Sequence, residues 1–357
     1  MIRNTRFILI LGVAFLAAAL SLFFLSEFKA TPYYALENSN STCIECHGVM
    51  TGFSPLHQQL ECISCHQGDN LASTPDSAHH EMIKVPGNLA DAKETCGVCH
   101  VDAIKHISNS LMTTNSGIIA VDKYLFGEEI QANTVQHIDS TAHSMADEHL
   151  RALCLRCHLG SDKKIYGPIT QESRGGGCNA CHLNYSDAAT SQLNEYMISG
   201  ELPKAHPSLD LQISDNHCFG CHSRSGRIST NYLGLHETLL STDEVRGSTG
   251  YSQIEDGRVY KKVAADIHQK GGLACIDCHG YDGVMGDGKT YVHEEDAVKI
   301  TCEDCHSSNP RTFEFSDLSF TQQRIFKIRA FEHKDQPLLI GAKDSTAIIN
   351  VFLDQQN

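Results

Sequence analysis

All sixteen cysteines of the 357-residue chain fall in one pattern, Cys-x-x-Cys-His. The first four units are Cys43, Cys46 and His47; Cys62, Cys65 and His66; Cys96, Cys99 and His100; and Cys154, Cys157 and His158. The other four are Cys178, Cys181 and His182; Cys218, Cys221 and His222; Cys275, Cys278 and His279; and Cys302, Cys305 and His306. Two thiols three positions apart can add to the two vinyl groups of one haem. The adjacent imidazole then meets the iron as its proximal ligand, the signature of c-type attachment. Zinc ribbons also use Cys-x-x-Cys, but they do not require His after every second Cys. A thioredoxin-like dithiol would occur once, in an α/β setting. Eight units with no cysteine left over predict eight covalently attached haem c groups.

Eight of the 21 histidines are thereby proximal, leaving thirteen for the opposite face of the iron. A full bis-His complement needs eight, so the supply exceeds the demand. His57, His149 and His268 each precede a motif by a few residues. His106 and His236 follow the third motif of a repeated three-motif unit, and His206 and His333 lie at comparable distances beyond the second motif of theirs. His143, His293 and one of His79 and His80 complete the distal candidates. His217, abutting Cys218, is expected to be too constrained to ligate. With His in surplus, the methionines are expected to pack rather than bind iron. No Cys-x-x-Cys-Lys occurs.

The segment Cys218-Phe-Gly-Cys221-His222-Ser223-Arg224-Ser225-Gly226-Arg227-Ile228-Ser229 resembles stretches of respiratory multihaem proteins. The chain from 43 to 306 resembles the bacterial multihaem cytochromes c, with octahaem tetrathionate reductases as distant enzymatic relatives. The resemblance implies electron transfer through closely stacked haems of low potential, most with two His ligands. In the tetrathionate reductase relatives a distal Lys marks the catalytic haem.

The elements that must carry these motifs are legible more coarsely. Motif spacing suggests a repeated three-haem unit in which Cys43, Cys62 and Cys96 correspond to Cys154, Cys178 and Cys218. The expected divisions are a membrane anchor or signal at 1–29, three-haem units at 30–140 and 141–258, and a two-haem unit with a haem-free tail at 259–357. The fold class expected is mostly α with extensive loops, organised by haem contacts rather than a continuous hydrocarbon core. Ala142–Leu155 and Thr321–Phe331 read as helices. Gly175–Gly177 and Gly271–Gly272 read as loops that let backbone approach a porphyrin, and 241–258 as a surface connector. The tail from Asn309 is expected to wrap the last haem pair.

Residues Phe7 to Leu25 form an apolar stretch which, at about 1.5 Å per residue, reaches across a bilayer core. Arg3 and Arg6 precede it, predicting a cytoplasmic N-terminus and an exported remainder. The rival reading is a cleaved signal peptide, against which stand the stretch's length and the lack of a small-x-small site. The expected location is therefore the inner membrane, single-pass, with most of the chain periplasmic. A net charge of −15 argues against nucleic-acid binding and favours basic partners. Gly283–Thr290 matches the nucleotide-binding pattern G-x-x-x-x-G-K-T, but it lies between two haem motifs with no room for the preceding strand, so no nucleotide is expected. The function expected is single-electron transfer in respiration, from a membrane donor such as a quinol oxidase to periplasmic redox partners. The alternative is a terminal oxidoreductase reducing a small nitrogen or sulfur oxyanion at one weakly ligated haem, with Arg224 and Arg227 as a local anion funnel.

Overall fold

The computed structural model describes residues 41–224, 228–328, 337–343 and 345–352. The expected membrane segment, His333 and Arg227 lie outside them. Among the described residues no helix is long and apolar enough to cross a membrane.

Short helices and loops dominate. Only six helices among the described residues reach eight residues: Val101–Asn109, Ser116–Leu125, Met145–Leu153, Asp187–Ser199, Asp215–His222 and Phe320–Ile328. Met145–Leu153 lies within the helix expected at Ala142–Leu155. It begins at Ser144, whose hydroxyl accepts the Asp147 N–H while the Asp147 carboxylate accepts the Ser144 N–H, a reciprocal cap. Apolar burial is divided among small clusters. Ile119, Leu150 and Leu155 join the helices 116–125 and 145–153 to the fourth motif. Ile107, Leu159 and Ala180 form a second cluster, and Leu318, Phe326 and Leu338 a third.

Three small antiparallel sheets, not expected from the sequence, tie distant segments together. Strand β1 (Leu183–Asn184) pairs with β2 (Ser208–Leu209). In the second sheet β5 (Val259–Lys262) lies between β3 (Leu235–Glu237) and β4 (Tyr251–Gln253). The connector expected at 241–258 is thus exposed turns only as far as its strand β4. In the third sheet β7 (Leu338–Ile340) lies between β6 (Thr312–Phe313) and β8 (Ala347–Phe352). This tail sheet packs on the last two motifs. The Ala342 N–H donates to Asp304 Oδ1 at 2.8 Å, and Thr346 Oγ1 donates to Asp282 Oδ2 at 3.0 Å.

The two glycine loops serve different ends. Gly177 has φ +55°, and a Cβ there would lie 2.3 Å from the Gly87 carbonyl oxygen. Its approach is to the 87–89 backbone, and the neighbouring Cys178 N–H donates to Gly87 O at 2.8 Å, binding the fifth motif to the run before the third. Gly272, at φ +91°, has open space around it and is needed for the turn that ends Ile267–Lys270.

Candidate functional site

Every Cys-x-x-Cys-His unit sits on or beside one turn of helix, from Thr42–His47 to Cys302–His306; the third and fourth use 3₁₀ turns at Cys96–Val98 and Leu155–Cys157. A helical turn places positions i, i+3 and i+4 on one face, so both thiols and the imidazole project together. In the seventh and eighth motifs the third residue stabilises that turn. Buried Asp277 accepts the Ala274 N–H at 2.7 Å, and buried Asp304 accepts the Thr301 N–H at 2.8 Å. Burial would raise the Asp304 pKa, but the N–H groups of Thr301 and Ala342 hold the carboxyl below its usual range.

Four motif histidines face a histidine from elsewhere in the chain. His47 faces His79 with ring centroids 6.0 Å apart, His66 faces His206 at 6.1 Å, His100 faces His57 at 6.4 Å, and His306 faces His268 at 5.8 Å. An imidazole nitrogen binds a transition metal at about 2 Å, so two rings on opposite sides of one ion stand roughly 6 Å apart. Among the described residues no three or more His, Cys, Asp or Glu converge on a point that could hold a metal ion unaided. The facing pairs therefore suit a metal whose remaining donors come from a ring, as in haem.

The outer nitrogens of these imidazoles are anchored in the way ligating histidines require. His66 Nδ1 lies 2.8 Å from the Ile83 carbonyl oxygen, His206 Nδ1 2.6 Å from that of Pro207, and His57 Nδ1 3.0 Å from Ser54 Oγ. His268 Nδ1 instead meets the Asp266 carboxylate at 2.8 Å. Burial lowers the pKa of His57, His182 and His206, favouring the neutral ring that a metal needs.

His182 is held by the Asp210 carbonyl at 3.0 Å and lies in electrostatic reach of His217 and His100. His217 is thus nearer a motif imidazole than its position beside Cys218 suggests. It sits on the first turn of Asp215–His222, a helix that packs on Asn179–His182. Of the pair left open, His79 faces His47, while His80 lines a cleft of about 560 Å³ with Asp69, Asp76 and Glu81.

The other distal candidates do not face a motif imidazole in this way. His106 packs against Gly288 and Tyr281, and its Nδ1 is buried without a hydrogen bond. His149 Nδ1 meets the buried Asp122 carboxylate at 2.9 Å. His236 Nδ1 lies 3.2 Å from Asn231 Oδ1, and His293 caps Glu294–Ala297. His143 is 91% exposed and approaches only Glu148, at 3.5 Å.

Thiols of different motifs also meet. Hydrogen bonds join Cys43 to Cys62, Cys96 to Cys178, Cys157 to Cys221 and Cys218 to Cys275. Cys65 lies in electrostatic reach of Cys96, Cys181 of Cys218, and Cys278 of Cys302. The motifs thus follow one another in space as first, second, third, fifth, sixth, seventh and eighth, and the fourth attaches at the sixth. Backbone contacts agree at the centre, where Asp215–His222 touches both Asn179–His182 and Cys275–Cys278.

The fourth motif differs from the paired ones. No imidazole faces His158 among the described residues, and its Nδ1 is buried without a partner. Arg174 donates to Cys157 Sγ at 3.1 Å. The Cys221 hydrogen bond, helped by Arg174 and Arg224 against the effect of burial, holds the Cys157 thiol well below its usual range. Lys163, 6% exposed, donates to Ser173 Oγ at 2.8 Å, and burial lowers its pKa to about 8. Arg174 and Lys163 had no motif to mark them in the sequence. The rejected nucleotide pattern is a loop after the short helix Tyr281–Val284, and its Lys289 is exposed. Comparison with known protein families, with curated proteins and with solved structures gives no match.

Proposed function

We propose that the chain is a membrane-anchored, periplasm-facing octahaem cytochrome c that carries single electrons between a membrane donor, of the quinol-oxidising kind, and periplasmic partners. The observation that carries this reading is the nearness of thiols from successive motifs, four pairs hydrogen-bonded and the others in electrostatic reach. A thiol that bonds haem would fix the edge of the macrocycle, so neighbouring thiols would bring macrocycle edges close together. Haem supplies reversible one-electron chemistry at its iron. The chain's own residues do the rest. The helical turns aim the thiols and motif imidazoles, and at the four faced motifs the second histidine would hold the group from the other side and exclude exogenous ligands. Carbonyl and hydroxyl groups hold Nδ1–H so that Nε2 presents its lone pair. The acidic surface favours basic partners whose docking weakens with salt.

A second reading is favoured by the surroundings of the fourth motif. Arg174 and Arg224 around Cys157 suit a branch site where a small nitrogen or sulfur oxyanion is reduced, with Asp139 and Asp162 on the His158 side. The test is carbon monoxide titration of the fully reduced protein after a pyridine haemochrome count of eight. No spectral change supports the carrier. A change in one haem that vanishes when Cys154 and Cys157 are replaced by Ala supports the branch enzyme. A count of zero overturns both.

A further inference from the structure

Four imidazoles stand opposite a motif histidine, and their outer nitrogens are not alike. His206 meets a backbone carbonyl and His57 a hydroxyl. His268 meets a carboxylate: Asp266 Oδ1 lies 2.8 Å from its Nδ1 and also accepts the His268 backbone N–H at 2.9 Å. One oxygen thus fixes both the ring and the turn that carries it, with Asp266 as N-cap of Ile267–Lys270. The ring it holds faces His306 at 5.8 Å, in the eighth motif, at one end of the succession of motifs, where Cys302 lies in electrostatic reach of Cys278.

A carboxylate drawing on the Nδ1 proton gives the imidazole more anionic character and raises the basicity of Nε2. A more basic axial ligand stabilises the ferric over the ferrous state. Outer hydrogen bonding is thus one of the levers by which a protein sets a haem potential. We infer that Asp266 is a positioning residue that makes the haem held between His306 and His268 harder to reduce than those whose distal histidine leans on a neutral acceptor. The eighth site would then be the low-potential terminus. Electrons arriving there from a strong reductant run downhill along the seven-motif path, and electrons entering at the first motif do not pool there.

This rests on the reading of the facing imidazoles as haem ligands, and the test separates the two. Asp266→Asn in the full-length holoprotein removes the charge and leaves an amide oxygen for the ring. With eight haems and an unchanged low-spin spectrum, one haem component is expected to shift towards easier reduction by about tenfold in its oxidation equilibrium, 59 mV for one electron. Asp266→Glu is expected to recover most of the shift. His268→Met identifies the component by perturbing the same one. The proposal is overturned if all components keep their potentials, if the shifted component is not the one that His268→Met perturbs, or if Asp266→Asn only turns one haem high-spin. The last result would mean that the carboxylate holds the ring without tuning it. A wild-type count of no haem overturns the underlying reading instead.

Discussion

The second and fourth motifs have the same five-residue pattern and opposite surroundings. His66 is enclosed: its Nδ1 leans on Ile83, and His206 stands 6.1 Å away on a segment anchored by the Thr51–Ala205 bridge. His158 has no facing ring among the described residues; Asp139 and Asp162 lie in electrostatic reach of it, and Arg174 and Arg224 stand around the neighbouring Cys157. Identical motifs therefore do not make identical sites. The pattern of five residues fixes the turn, whereas what stands opposite its imidazole is set by chain from elsewhere.

The sharpest way to break this comparison is to delete a motif. Replacing Cys178 and Cys181 by Ala removes a link of the single path. Stopped-flow reduction of the remaining haems by a donor at one end is expected to slow by orders of magnitude. Replacing Cys154 and Cys157 removes only the side branch, and the same rate is expected to hold. Equal losses in both variants would erase the distinction between path and branch.

Next in size is the trans ligand. His206→Ala is expected to leave the His66 iron five-coordinate, so that one equivalent of carbon monoxide binds the reduced protein. The exposed His143, replaced by Ala, is expected to change nothing in the same titration. Gly177→Ala tests how the third and fifth sites are held together. Its Cβ would collide with the Gly87 carbonyl in a left-handed backbone, so the expected outcome is stability lower by roughly 1–3 kcal/mol in thermal unfolding.

The smallest effect concerns an ion pair in the loop between the seventh and eighth motifs. Lys299 Nζ donates to Asp287 Oδ2 at 2.9 Å and to the Tyr291 hydroxyl at 2.9 Å. Although burial opposes it, bonding to Lys299 and Tyr291 holds the Asp287 carboxyl below its usual range. The folded pKa is below the unfolded one, so this contribution is complete above the unfolded value, near 4, and is lost as pH falls through the folded value. Asp287→Asn is expected to flatten the acid limb of stability against pH and leave haem spectra unaltered.

What the sequence revealed follows from how local each feature is. The eight attachment turns need only five consecutive residues, and the helix at Met145–Leu153 announces itself through Ser144 and Asp147. The tail's packing on the last motifs was legible because it carries no Cys-x-x-Cys-His unit of its own. The sheets were not, since strands of two to six residues are too short to display alternation. Nor was the partnership of His66 with His206, which depends on a bridge between segments that share no pattern. The nearness of His217 to His182 was not legible either, because its neighbour in the chain, Cys218, is what the sequence displays. The glycines at 175–177 were legible as a loop, but not that Gly177 approaches the backbone at 87–89 and Gly175 that at 161–162.

The reach from His66 to His206 also sets a timetable. His57 and His100 both belong to the first hundred residues, so that pair can close as soon as the early chain has emerged. The second site cannot. Its own turn is made early, yet the imidazole that faces it arrives only after the fourth and fifth motifs have been synthesised. Throughout that interval the nascent chain carries His66 without its partner, and a chain truncated before residue 206 would keep it so.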